Sequence, residues 1–110
     1  MPVNSNPQLN KSGNLAYGKN VIISIITLAA KEISGVANLL GKGVRIDFEG
    51  NIINIDVFIG VYYGGKVSDV AFKVQENVKR SVETMTGYKT GTVNVNILGV
   101  KFSEEHIEHV

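Results

Sequence analysis

A chain of 110 residues, 44% apolar, has the length of one domain and leaves no room for a second core. Its 11 Lys plus Arg against 10 Asp plus Glu give a formal charge of +1, too balanced for the strong field on which non-specific nucleic-acid or membrane binding depends. With no cysteine, disulfides, thiolate nucleophiles and cysteine-ligated zinc are excluded, and a reducing compartment, the cytoplasm, is the expected location.

The opening "MPVNSNPQLNKSGN" has neither the cationic-then-apolar pattern of a signal peptide nor an acylation signature. Residues 1–18 are rich in Asn, Ser, Gly and Pro, and are expected to form a flexible arm in which Leu15 and Tyr17 are able to dock. The most apolar segment, residues 21–30, is half the roughly 20 residues that a spanning helix needs, so no direct membrane insertion is expected. "VIISII" would suit a strand by its β-branching. The length of the run and the glycine at 35 favour a helix over residues 21–34, with Asn20 as N-cap and Gly35 as left-handed stop. Ile22, Ile26, Ala29 and Ile33 form its apolar stripe, and Val21, Ile23, Ile25 and Ala30 widen that stripe beyond one face. So wide a stripe predicts a second packing partner, and makes Ile23 and Ile25 candidates for an interface with another protein.

"NLLGKG" (38–43) reads as a connection. "VRIDF" then alternates as a half-buried strand, "EGN" (49–51) signals a tight hairpin, and a long antiparallel strand follows with Ile53, Ile55, Val57, Ile59, Val61 and Tyr63 on one face. The glycines at 64 and 65 lead into a second helix, with Ser68 as N-cap, a Val67–Phe72 staple and Asp69 at the positive end of the dipole. Val70, Ala71, Val74, Val78, Val82 and Met85 form its inward stripe. Asp69 with Lys73, Glu76 with Arg80 and Lys79 with Glu83 are spaced for pairing on the wet side, and Gly87 ends the helix. "TVNVNILGVKF" alternates until Gly99, where a bulge is expected to restore the phase. The order helix, strand, strand, helix, strand predicts an α+β fold, a two-layer sandwich with two helices packed on one face of a three-stranded sheet. The domain is expected to span residues 19–102, followed by a flexible tail at 103–110.

Candidate chemistry is sparse. The Gly64-Gly65-Lys66 corner could hold an anion, but it lacks Walker spacing and reads as turn geometry. His106 and His109, beside Glu104, Glu105 and Glu108, have a metal-like spacing, but a chain terminus does not fix ligand geometry. Glu32, Asp47, Glu49 and Asp56 are scattered rather than paired. No catalytic residue, cofactor site or metal site is assigned, and a non-enzyme is expected. The outer sheet face is more informative. Asn54, Asp56, Thr92, Asn94 and Asn96 make it polar, while Phe58 and Tyr62 project there around a bare Gly60. Phe58, Tyr62 and Tyr63 therefore join Ile23 and Ile25 as protein-interface candidates.

"NVIISIITLAAKEISGV", "GVRID", "INIDVFIGVYYGGKVSDVAFKVQENVKRSVETMTGY" and "VNVNILGVKF", taken in order, resemble the alkaline shock protein family, envelope stress response proteins of Gram-positive bacteria. The most specific parts are the Tyr63-Gly64 corner, the helix carrying Val70, Ala71, Val74, Gln75 and Val78, the "MTG" at 85–87, and the closing "VNVNILGVKF". The resemblance implies a small, cytoplasmic, non-enzymatic protein of cell-envelope homeostasis. It also implies self-association into a homo-oligomer, and a peripheral position at the inner face of the membrane through an anchor or other envelope-related partner. Some members are tied to fatty-acid synthesis instead. The element order also resembles KH-like domains, which makes a single-stranded RNA-binding module the competing reading. Lys66, Lys73, Lys79 and Arg80 would then supply phosphate contacts, but the Gly-x-x-Gly clamp between two helices is missing.

Overall fold

A computed structural model of the chain describes residues 18–102. The expectations for Leu15 and Tyr17 in the N-terminal arm, and for His106, His109 and their neighbouring glutamates in the tail, lie outside the described residues.

Helix α1 (Lys19–Lys31) starts two residues before the predicted position, from Gly18 in extended conformation. The Gly18 carbonyl accepts from the amides of Val21 and Ile22, so Asn20 sits in the first turn rather than capping it. The polar residues of this apolar helix satisfy themselves along its own backbone: Ser24 Oγ donates to the Asn20 carbonyl at 3.0 Å and Thr27 Oγ1 to that of Ile23 at 2.8 Å. The helix ends at Glu32 in right-handed conformation, so Gly35 is not its stop. Gly35 serves a different purpose, because a Cβ there would overlap Val70 Cγ2 of the next helix. The glycine lets the corner that follows α1 approach that helix closely.

Strand β1 (Val36–Glu49) absorbs the stretch read as a connection. Gly41 (φ 56°) and Gly43 (φ 73°) adopt left-handed conformations inside a register break between Leu39 and Val44, and both flanks pair antiparallel with strand β2 (Ile52–Tyr62). The two glycines are therefore a bulge within one strand rather than the end of a loop. Gly50 (φ 63°) turns the predicted hairpin.

Helix α2 (Val67–Thr86) begins from Lys66, which places Ser68 inside the first turn in place of the predicted cap. Val67 and Phe72 of the expected staple are both exposed. Gly87 (φ 80°) closes the helix as expected, its amide donating to the Glu83 carbonyl. Twenty helical residues run about 30 Å, close to the roughly 36 Å of an eleven-residue strand. The helix therefore returns the chain to where β2 began, and strand β3 (Lys89–Lys101) runs parallel to β2, giving the order β1-β2-β3. The expected parity break is present: the register slips between Ile97 and Gly99.

Ile53, Ile55, Val57, Ile59 and Val61 project from β2 into a core closed by Val74, Val78 and Val82 of α2 and by Ile22, Ile26, Ala29 and Ala30 of α1. Each fully buried valine or isoleucine is worth about 1.5–3 kcal/mol. The inward stripe of α2 stops short of Met85, which is 55% exposed. α1 packs against both β1 and α2, and this consumes much of its wide stripe.

Candidate functional site

The polar half of the outer sheet face is tied within itself. Asn54 Nδ2 donates to Glu49 Oε1 at 3.0 Å, and its Oδ1 accepts from the Thr92 amide at 2.9 Å. Asn94 Nδ2 donates to Asp56 Oδ1 at 3.1 Å, and Asp56 faces Arg45 Nε at 3.8 Å. These cross-strand pairs hold register, and leave the face without a converging set of reactive groups. Gly60 is not bare as expected. Asn38 and Leu40 of β1 cover it, with Leu40 Cδ1 3.1 Å from where a Cβ would stand and also lying over Gly99.

Of the predicted interface residues, Ile25 is 8% exposed and belongs to the chain's own core, Ile23 is half-buried against that core, and Phe58 is half-buried on the outer face. The exposed apolar positions of α1 are instead Val21 and Leu28. Tyr62 and Tyr63 lie together at the end of the sheet where β2 turns into α2. Tyr62 stays on the outer face, with its amide bonded to the Gly35 carbonyl at 3.0 Å. Tyr63 falls just beyond the strand, and its amide donates to the Lys101 carbonyl at 2.9 Å.

Phe102, absent from the sequence-derived candidates, completes this end. Its ring lies 4.8 Å from that of Tyr63 at an interplanar angle of 37°, and both residues are more than half exposed. The pairing joins positions 39 apart in sequence, and no local signal in the sequence points to it. Beside the pair, Val61, Tyr62, Tyr63, Gly64, Gly65, Val67 and Val100 line an open depression of about 350 Å³. Gly64 (φ 100°) makes the corner that shapes it. Aromatic and aliphatic surface around an accessible hollow suits a protein partner better than a charged ligand.

The Glu83 carboxylate ties α2 to β3. Glu83 Oε2 accepts from the Thr90 amide at 2.9 Å and from Thr90 Oγ1 at 3.0 Å, and these two bonds lower its pKa, with smaller help from Lys79 and Lys89. Its role is to hold the start of β3. Among the described residues, no group of three or more His, Cys, Asp or Glu gathers as a metal site, and no helix is long and apolar enough to cross a membrane.

Residues 38–102 match the sequence profile of the alkaline shock protein 23 family, described as having a cell envelope-related function. The chain belongs to this family. Among its relatives are two uncharacterized proteins of Bacillus subtilis (strain 168). YloU is 42% identical over 83% of this chain and 91% of its own length, and YqhY is 31% identical over 82% and 78%. Solved structures of MamM-CTD variants are similar in fold. Two of them superpose with TM-scores of 0.57 and 0.55 at 21% and 22% identity, covering 76% and 74% of this chain and 100% and 99% of theirs. At that identity the likeness is one of architecture. The matched region of this family member starts in β1 and runs through β2, the Tyr63-Gly64 corner, α2 and β3, so it contains the whole aromatic end of the sheet.

Proposed function

We propose that the protein is a non-enzymatic, self-associating scaffold or adaptor of the cell-envelope stress response. It works from the cytoplasm and reaches the inner face of the membrane by contact with an envelope-related protein. The observation that carries this reading is the exposed Tyr63–Phe102 pair, set beside the apolar hollow of Val67 and Val100. Water-exposed aromatic rings held in place by a rigid strand end are the kind of anchor that dominates protein–protein contacts. The envelope-related family supports the setting, and the mutually bonded polar groups of the outer face, already satisfied at home, support a scaffold over a catalyst.

Nothing in the geometry favours the RNA-binding reading. The two helices are separated by the β1–β2 hairpin, so no loop joins helix to helix as a KH clamp requires, and Lys79 and Arg80 alternate with Glu76 and Glu83 on α2.

Size-exclusion chromatography with light scattering on the full chain tests the proposal. A dimer or larger species is expected, weakened by Phe102→Ala, which alters an exposed ring without opening the core. A strictly monomeric particle at high concentration overturns it.

A further inference from the structure

Beside the Tyr63–Phe102 pair, Val67 and Val100 stand 41% and 57% exposed around the buried Val61, which forms part of the wall of the hollow. An apolar cavity of about 150 Å³ admits a benzene ring, so the hollow of about 350 Å³ has room for two aliphatic side chains. Its surroundings are basic. Lys66 and Lys101 each adjoin lining residues in sequence, and segments 60–68 and 97–102 carry no carboxylate. Helix α2 starts at the same place without a side-chain cap. Its first helical bond runs from the Val70 amide to the Lys66 carbonyl, so the amides of Val67, Ser68 and Asp69 add partial positive charge there. Asp69 offsets part of this charge, and Glu32 of the corner after α1 is already bonded to Asn77. The hollow therefore suits aliphatic side chains that arrive with negative charge.

Residues 103–110, outside the described residues, have this chemistry. They continue from Phe102 as "SEEHIEHV", with three glutamates, no Lys or Arg, and two aliphatic side chains, Ile107 and Val110. Their starting point is fixed beside the hollow, because the Phe102 ring packs 4.8 Å from that of Tyr63. Ile107 lies five residues farther on, and five residues span up to ~17 Å, enough to turn back past Val100. Residues 1–17 are a poorer occupant. They enter at Gly18, a helix length of about 20 Å from the corner that bonds Tyr62. They also carry Lys11 and no acid, and so share the sign of the lysines around the hollow.

We propose that residues 103–110 fold back onto this hollow in their own chain. Ile107, with Val110 beside it, seats against Val61, Val67 and Val100, and Glu104, Glu105 and Glu108 turn toward Lys66, Lys101 and the start of α2. The tether favours the same chain over a second copy. A ligand held on so short a link is present at an effective concentration on the order of 1 mM, so a contact of only millimolar affinity closes the hollow in about half of the molecules. The docking itself does not depend on the scaffold reading, but its consequence rests on that reading. A partner reaches Val67 and Val100 only by displacing the segment, and its apparent affinity is reduced to the open fraction. The segment is thus an internal competitor that sets how readily the aromatic end of the sheet is used.

The test is methyl NMR on the full chain at two concentrations tenfold apart, with light scattering in parallel, for the parent and for Ile107→Asp and Lys66→Glu. The second variant puts a carboxylate at the start of α2, which suits the helix dipole but repels the segment, so docking and stability should move apart. The probe is a synthetic peptide of residues 103–110 with both ends blocked. In the parent, nuclear Overhauser contacts from the Ile107 methyls to those of Val67 and Val100 are expected at both concentrations. Both variants should lose or weaken them while unfolding within a few degrees of the parent, and the probe should half-saturate Ile107→Asp at no more than a tenth of the concentration the parent needs. Absence of these contacts in the parent overturns the docking, and a dimer seen alongside leaves self-association standing. Contacts that fade on dilution together with a dimer place the segment on the other copy, and overturn the same chain as occupant. Concentration-independent contacts in a strict monomer support the docking and overturn the scaffold reading. A probe that binds parent and Ile107→Asp equally shows an open hollow and overturns the internal competitor.

Discussion

Asn77 of α2 donates from Nδ2 to the carbonyl of Ala29 at 2.7 Å, closing the C-terminal end of α1 from the facing helix. The same nitrogen reaches Glu32 Oε1 at 2.9 Å, and Arg80 Nη2 donates to Asn77 Oδ1 at 3.1 Å. Helix ends leave carbonyls without intrahelical donors, and here the Ile33 amide bonds to Ala30 rather than Ala29. Replacing Asn77 with leucine removes the donor and leaves that carbonyl stranded. A loss of about 1–2 kcal/mol is expected, read as a lower urea midpoint at unchanged slope.

Gly35 faces Val70 at the α1–β1 corner with no space for a methyl group. Gly35→Ala should cost about 1–3 kcal/mol by overpacking. Shortening the opposing side chain tests the cause. In the double variant Gly35→Ala, Val70→Ala, thermal unfolding should show less destabilisation than the sum of the two single changes. Strict additivity would remove steric contact as the reason for this glycine.

The Glu83–Thr90 bonds make stability depend on pH in one direction. A carboxyl group whose folded pKa lies below its unfolded value, ordinarily about 4.3, stabilises the fold above that value. The contribution is lost as pH falls through the lower, folded pKa. Glu83→Gln should therefore unfold at a lower temperature than the parent at pH 7, and the gap should narrow as both are taken to pH 3. A gap unchanged with pH would mean that the charge of Glu83 does not matter to the junction.

On the outer face, a methyl group at Gly60 would stand 2.7 Å from Asn38 Oδ1 and 3.1 Å from Leu40 Cδ1. Gly60→Ala should lower stability by about 1 kcal/mol as the Leu40 cover shifts. If the cover is as snug as these distances imply, the amides flanking the β1 bulge will also exchange faster.

The periodicity of α2 was enough to place Val74, Val78 and Val82 in the core, because a 3.6-residue repeat dictates a face whatever that face meets. The same held for β2, whose alternation assigned Ile53 through Val61 correctly, and for the Gly50 turn and the Gly99 slip. Elsewhere local chemistry allows two outcomes. Gly41 and Gly43 suit a loop as well as a bulge, and only pairing of both flanks with β2 makes them part of one strand. Ser68 and Asn20 are good caps in isolation, but each helix starts earlier, from Lys66 and Gly18, with no side-chain cap. Glu83 had an ion-pair partner four residues away on its own helix, yet bonds to Thr90 across the junction.

What the sequence determined by itself is the set of elements and their apolar faces, since these depend on spacing along the chain. The tertiary structure alone decided which faces remain open. Ile25 had the same hydrophobic claim to the surface as Leu28, but contact of α1 with both β1 and α2 buries the first and leaves the second 64% exposed. Likewise, nothing local brings Tyr63 against Phe102. Their contact follows from a helix just long enough to return the chain and lay β3 parallel beside β2, a choice made by long-range pairing of backbone groups that no sequence interval records.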